Sequence, residues 1–557
     1  MKLIPLIVVS AVVAVPLSAQ SRGGDTMIDS GVTRAYGTSV ASQGLTSVAV
    51  WNSDDTVFAS NSKDGGRNWV AAPVVIGGGT ASGAKRTYKD AIAFGHGNVY
   101  LAYEDKSSGS EEHMFSMSAD GGDSWSAPTV IPSAGSGYIT DIEVYATGNA
   151  IVVVSLALSF PNGCFVNVST DNGATWTETR LDPATGDVDG VDASVFGDTV
   201  LVTYNDDSTG NNQTYAAVSV DGGLTFGPVA TLSAGGNSKT AYPVCWTENG
   251  DMVVAWLEDD ASISGTAEDV VACYSADNGV SWNASFAVVD NGDQFDADNL
   301  EVYHSQLNAG TGGMTNFVFE NNVSGSDEVF CVSTDDYGVN QHEVNFGAGS
   351  YPRVAGEQNY VGVVFGQDPL GGYVENSMLA ISRNGGVDFR PAYDVSMGAS
   401  TGDSDYVEIA YDAAYDNFVV ASVEDRTGQN QMYVGGSRAV LLEATVDATA
   451  HTLQLAVNGV GLKPSPSNVQ IFASGASVPG SAILPDGRDT LMNVDPILMV
   501  SRSFAGFNVA IDPLGNGATS VISTPAGYWG ATLQFAAVEL LGGGMFGALV
   551  EPIAVTL

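Results

Sequence analysis

One short string returns along most of this chain at near-constant intervals, and it limits what the chain can fold into more than any other feature. Its fullest form is Ser118-Ala119-Asp120-Gly121-Gly122-Asp123-Ser124-Trp125, with serine first, an acid two on, glycine four on and a large aromatic seven on. The form recurs at Ser62/Asp64/Gly66/Trp69, Ser169/Asp171/Gly173/Trp176, Ser219/Asp221/Gly223/Phe226, Ser275/Asp277/Gly279/Trp282 and Ser382/Asn384/Gly386/Phe389. A seventh copy, from Ser333 and Asp335, is degraded, with Tyr337 in the glycine place and Asn340 in the aromatic place. The copies start 49 to 58 residues apart. A period of this size means stacked supersecondary units that share one continuous core.

Each part of the string has a physical task. A hairpin turn leaves backbone N–H groups without partners, and a hydroxyl and a carboxylate at this spacing accept from them. Glycine takes a positive φ without a Cβ clash, and the aromatic carries an apolar face under the turn. The seven acid or amide positions, Asp64, Asp120, Asp171, Asp221, Asp277, Asp335 and Asn384, are therefore read as structural. The repeated Ser-x-Asp-x-Gly-x-x-Trp resembles the Asp box, or BNR repeat, of sialidase-type β-propellers, directly over residues 60–390 and through the surrounding strands over 31–445. That resemblance implies a propeller but no single activity, because such propellers include sialidases, other glycan-active enzymes, photosystem assembly factors, sorting receptors and binding proteins without catalysis.

The fold class expected is all-β, a multi-bladed β-propeller followed by a small C-terminal β-sandwich. No long helical apolar period is present, and 67 glycines with only 15% charged residues suit short strands and tight turns. Units of four strands, with the motif at the turn between the third and fourth, can be cut eight times, the last without the motif at 406–411, 417–423, 432–435 and 440–445. Eight blades follow from this count, or seven if the first and last units share a blade. Residues 1–19 read as a secretory signal, Lys2 followed by an apolar run and Ser18-Ala19, and 20–30 as a linker, which predicts a secreted or cell-surface protein. Residues 446–557 read as the sandwich, with strands near 453–457, 469–472, 507–511 and 550–557. The apolar stretch 533–550 is interrupted by Glu539 and three glycines, so it reads as two strands rather than a membrane span. The four cysteines do not form a disulfide framework and read as buried thiols.

A formal net charge of −44 excludes the nucleic-acid backbone as a partner. In a propeller the motif turns lie on one face, so a ligand site is sought on the other. There the second strands end in an aromatic followed by acids: Asp54 after Trp51, Tyr103-Glu104-Asp105, Asp206 after Tyr204, Trp256 with Glu258 and Asp259, Glu320, Asp368, and Glu424-Asp425. Asp90, Asp141, Asp192, Asp298 and Asp405 stand near the starts of first strands. Two readings stay open for this acidic rim: loops whose acids cap their own turns, or a ring of hard oxygens that binds Ca2+.

Sialidase chemistry, which the resemblance implies as one outcome, requires three arginines on a substrate carboxylate and a tyrosine–glutamate nucleophile pair. The matching residues are Arg34, Arg86 and Arg353, with Tyr406 beside Glu408, but the Phe/Tyr-Arg-Ile-Pro string of that family is absent. An acidic mouth also repels an anionic sugar. The reading reached is an exported propeller that binds an extracellular glycan or protein at its acid-rich mouth, Arg353 included. The alternative is an exo-acting glycoside hydrolase of sialidase type. Oligomeric state is not legible.

Overall fold

A computed structural model describes the chain from Thr26 to Thr556, apart from residues 29–34, 475–507, 524–531 and the tips of many shorter loops. The signal segment lies outside the described residues. Eight antiparallel sheets follow one another around a ring, which settles the blade number at eight. Blade 3 shows the plan: Tyr138–Ala146 pairs with Ile151–Leu158, which pairs with Gly163–Ser169, which pairs with Thr177–Arg180. Blade 1 runs from Tyr36–Gln43 to Val74–Gly78, blade 4 from Val188–Phe196, blade 5 from Lys239–Glu248, blade 6 from Ala297–Ser305 and blade 7 from Ser350–Glu357. In blade 2 the inner strand is split into Lys85–Arg86 and Ile92–Gly95, both paired with Asn98–Asp105.

The second strand of each blade reads as a continuous apolar run rather than an alternation because both its faces are covered. In Ile151–Leu158 every residue but the last is buried. Odd and even positions serve different neighbours: Ile151 and Val153 pack with Tyr100 and Phe115 of blade 2, and Val152 and Val154 pack with Val191 and Val202 of blade 4. The described residues form one apolar cluster per blade interface, and the cluster between blades 8 and 1 joins Val419, Ala421 and Met432 to Ala49, Trp51 and Trp69. All four cysteines are free and buried at such interfaces.

The last blade differs from the expected plan. Its inner three strands are Ser404–Asp412, Asn417–Glu424 and Gln431–Arg438, but its outer strand is Thr26–Met27, from the segment read as a linker. Thr26 pairs with Val434 and Met27 with Tyr433, and Ile28 beside them is fully buried. Leu441–Asp447, read from sequence as that outer strand, pairs instead with Thr452–Asn458. This explains why the eighth unit lacks the repeated string. No turn joins its third and fourth strands, so there is no hairpin to fasten.

Beyond the ring stand two further antiparallel sheets, one built on Leu441–Asp447 and Thr452–Asn458, the other ordered Asn508–Ala510, Asn468–Ser474, Thr532–Leu540, Phe546–Thr556. Leu453, Leu455, Ile471, Ala473, Leu533 and Phe535 of these sheets share an apolar cluster that also takes in Ile409 and Phe418 of blade 8. The apolar stretch near the C-terminus forms two paired strands, as its interruptions imply. No described helix is long and apolar enough to cross a membrane.

Candidate functional site

The repeated boxes are built alike. In blade 2 the Ser118 hydroxyl donates to Asp120 Oδ1 at 2.8 Å and accepts the Gly122 N–H at 2.8 Å. Asp120 in turn accepts the Ser124 N–H at 2.8 Å and its hydroxyl at 2.6 Å. Thr175, Thr225 and Ser281 repeat that last pair of bonds on Asp171, Asp221 and Asp277. A hydroxyl six residues after the serine is thus part of the box, a regularity the sequence carries and the reading passed over. Asn384 keeps the arrangement, accepting the Asp388 N–H at 3.0 Å. Hydrogen bonds, that of Ser124 foremost, draw the Asp120 carboxyl down to about 2. The degraded copy is rewired: Ser333 donates to the Gly386 carbonyl of the next blade at 2.7 Å, and Asp335 accepts from Asn340 at 2.9 Å. Asp64 lies outside the described residues. Among the described residues the hydroxyls and carboxylates of the intact boxes bond within their own turns, which is the work of a structural fastening.

The acids that end the second strands are also largely spent within the chain. Tyr103, Glu104, Asp206, Trp256 and Glu424 are essentially fully buried, and Asp105 and Glu320 nearly so. Asp105 and Asp206 accept the N–H groups of Ser107 and Ser208 two residues on, which caps their own turns. Trp256 donates to Glu258 at 2.8 Å, Glu104 pairs with Lys106 at 3.0 Å, and Glu424 accepts from Ser422 at 2.8 Å. Asp259 and Asp425 are half-buried, and Asp54 and Asp368 lie outside the described residues. The turn-capping reading therefore describes these loops better than an open ring of ligands.

A different layer assembles at the centre of the ring. Every inner strand is interrupted, by a bulge in seven blades and by the split in blade 2. Six of these interruptions contain a residue in the left-handed region: Gly37, Asp90, Asp141, Tyr242, Asn299 and Tyr351, at φ of 46 to 54°. Glycine adopts it freely and Asp or Asn tolerate it, whereas a bulky side chain there costs about 1–2 kcal/mol. The bulge re-aims the residues that follow. Two places on from Asp141, Asn299 and Tyr351 stand Glu143, Glu301 and Arg353, and just past the bulges of blades 4 and 8 stand Asp192 and Glu408.

With Asp90, these side chains come from six blades but meet near one axis. Asp90, Glu143 and Asp192 each bring a carboxylate oxygen to within 4.8 Å of the others. Tyr145 donates to Glu143 Oε2 at 3.1 Å and to the Ala193 carbonyl at 2.6 Å, and burial beside these carboxylates raises its pKa well above the usual phenol value, so it remains a donor. Asp192 Oδ2 accepts the Cys245 N–H at 2.7 Å. Across the cluster Arg353 donates through Nε to Glu408 Oε1 at 3.2 Å and lies 3.4 Å from Glu301 Oε1. Burial, with Asp90 and Glu301 nearby, outweighs the arginine and pushes the Glu408 carboxyl up to about 7.

Ligands of one ion with metal–oxygen distances near 2.4 Å stand at most about 4.8 Å apart, so the trio Asp90, Glu143 and Asp192 fits a single hard cation. Of the five aspartates proposed from sequence, two belong to it. Asp141 is a bulge residue, Asp298 accepts the Asn299 N–H beside it, and the Asp405 side chain is outside the described set. Glu143 and Glu301 escaped the sequence reading; the signal that could have found them is an acid two residues after an Asx at an inner-strand start. Of the residues matching the sialidase set, Arg353 and Glu408 are described. They meet, with Arg353 also near Glu301, and Arg34 and the side chains of Arg86 and Tyr406 lie outside the described residues.

Residues 41–255 match the family model described as BNR repeat-like domain. No curated protein matches the sequence. Among solved structures the chain is similar to polysaccharide lyase PL25, an ulvan lyase, with a TM-score of 0.42 and 10% identity over 62% of this chain and 92% of that one. It is also similar to the Hadza microbial sialidase Hz136, with a TM-score of 0.35 and 13% identity over 61% of this chain and 73% of that one. A further likeness is to YCF48 bound to D1 peptide, with a TM-score of 0.34 and 11% identity over 62% of this chain and 92% of that one. The match over residues 41–255 agrees with the repeated boxes, and the ring of eight sheets is a β-propeller carrying BNR-like repeats.

Proposed function

We propose that this is an exported binding module that holds a surface glycan over the centre of the propeller, with Ca2+ seated on Asp90, Glu143 and Asp192. The observation that carries the reading is the convergence of those three carboxylates within 4.8 Å on the inner strands of consecutive blades. Repulsion among carboxylates packed this closely is relieved by a divalent cation, and oxygen ligands are what Ca2+ takes. The ion would neutralise the cluster and offer its remaining positions to sugar hydroxyls. Titration calorimetry of the mature chain with Ca2+ is expected to give saturable heat and a rise in melting temperature. Glu143→Gln with Asp192→Asn should abolish both; absence of heat and of any melting shift for the natural sequence at millimolar Ca2+ would overturn the reading.

A second reading has one observation in its favour. Glu408 lies against Arg353, and burial raises its carboxyl above the usual range, a direction that suits the proton carrier of a glycosidase. Against it, the guanidinium that would clamp a sugar carboxylate already bridges two glutamates. Turnover of a fluorogenic sialoside that is lost in Glu408→Gln and Arg353→Ala would favour the enzyme; glycan binding without turnover favours the module.

A further inference from the structure

Two of the six left-handed bulge positions are filled by a residue type that resists that conformation. Tyr242 and Tyr351 have φ of 46° and 51°, and each directly precedes a proline, Pro243 and Pro352, which narrows its backbone further. Strain of this kind in a bulky residue is ordinarily offset by burying the ring. Here Tyr242 and Tyr351 are 61% and 51% exposed, whereas the aromatics that end the neighbouring second strands, Trp256 and Phe365, are fully buried. The tyrosines therefore contribute little to the core while occupying positions that glycine or asparagine would fill without strain.

Their place in the ring is specific. Ala241 pairs with Leu257, and Ser350 with Gly366, so both tyrosines lie where the inner strand begins and the second strand ends. That rim is opposite the boxes. Blade 6, between them, brings Asn299 and Glu320: Asn299 Nδ2 donates to Glu320 Oε1 at 2.7 Å, and the Tyr351 N–H donates to the same oxygen. Tyr351 is thereby tied to the preceding blade. Exposed tyrosines with a half-buried amide, Asn299, between them suit a ligand with apolar ring faces and hydroxyl edges.

We propose that Tyr242 and Tyr351 form a strained aromatic platform on which the pyranose rings of a neutral polysaccharide stack, with the half-buried Asn299 amide between them. Strained residues that give the core little return are found at ligand clamps. The proposal deepens the glycan reading above and rests on it.

Affinity electrophoresis of the full mature chain through gels containing β-1,3-glucan, β-1,4-mannan or starch, each with Ca2+, tests it. Retardation is expected on at least one. Tyr242→Gly with Tyr351→Gly should lower that affinity at least tenfold and leave the melting temperature equal to or above that of the natural sequence, because glycine relieves the strain. Tyr→Phe at both positions should stay within threefold, since a stacking face is retained. Retardation of the natural sequence that persists in the double glycine variant overturns the platform alone. A fall in melting temperature in that variant makes the tyrosines structural and also overturns it. No retardation of the natural sequence on any gel overturns the platform together with the glycan reading, even if Ca2+ binds.

Discussion

At the scale of single residues, the box glycine does more than relax a turn. A methyl group on Gly279 would stand 2.5 Å from Val218 of the preceding blade, and one on Gly173 would overlap the Phe115 ring. Gly66 faces Val419 in the same way, which carries the series across the ring closure. Gly173→Ala therefore combines a left-handed alanine, φ +81, with overpacking, and should cost roughly 2–4 kcal/mol in chemical denaturation. Gly97→Ala has the same conformational fault, φ +78, with nothing within 4 Å, and should cost only about 1 kcal/mol. Equal losses for the two would mean that the inter-blade contact adds nothing. The serine, acid and glycine of the box were legible because each must meet a backbone group at fixed spacing. The contact with the previous blade was not, since nothing in Ser169 to Trp176 names Phe115.

At the scale of strands and sheets, the eighth blade is closed by the two-residue strand Thr26–Met27, the Ile28 and Ala35 N–H bonds to Met432 and Asn430, and the buried Ile28 side chain. Ile28, fully buried with Trp51 and Val434, anchors Thr26–Met27 to Gln431–Arg438. Ile28→Ala should cost about 2–4 kcal/mol, and removal of the chain through Ile28 should also leave Gln431–Arg438 as an open edge prone to pairing with other copies. Unfolding by urea, with light scattering to follow association, checks both parts. The eight units were visible as a period, but this closure was not, because a two-residue strand has no alternation to read and Leu441–Asp447 alternates well enough to compete. The acids after each second strand misled for a related reason. A Tyr-Glu-Asp string looks solvent-facing in isolation, yet Tyr103 and Glu104 are buried by neighbouring blades, and which acids converge is set by bulges whose left-handed residue is a tyrosine as often as an aspartate.

For the whole molecule, acid should be more damaging than the long row of surface carboxylates alone implies. His113 and His304 are buried neutral, and burial lowers each to about 4 from an ordinary value of 6.5. As pH falls, the unfolded chain takes up these protons first, so stability is full above about 6.5 and declines as pH drops toward 4. Melting curves from pH 7.5 to 4 should show that decline, and His113→Leu, which cannot titrate, should flatten it. A profile that stays level across this window in the natural sequence would mean that the two rings are not neutral inside. The ring imposes a further condition on how the molecule comes into being. Thr26 must find Val434, about 400 residues later in the chain, so a strand made early in synthesis is among the last to be seated. Until then seven sheets and a partial eighth form an open arc with a raw border at each end. Holding those borders apart from other nascent copies during that interval is the task that a chaperone would have to perform for this protein.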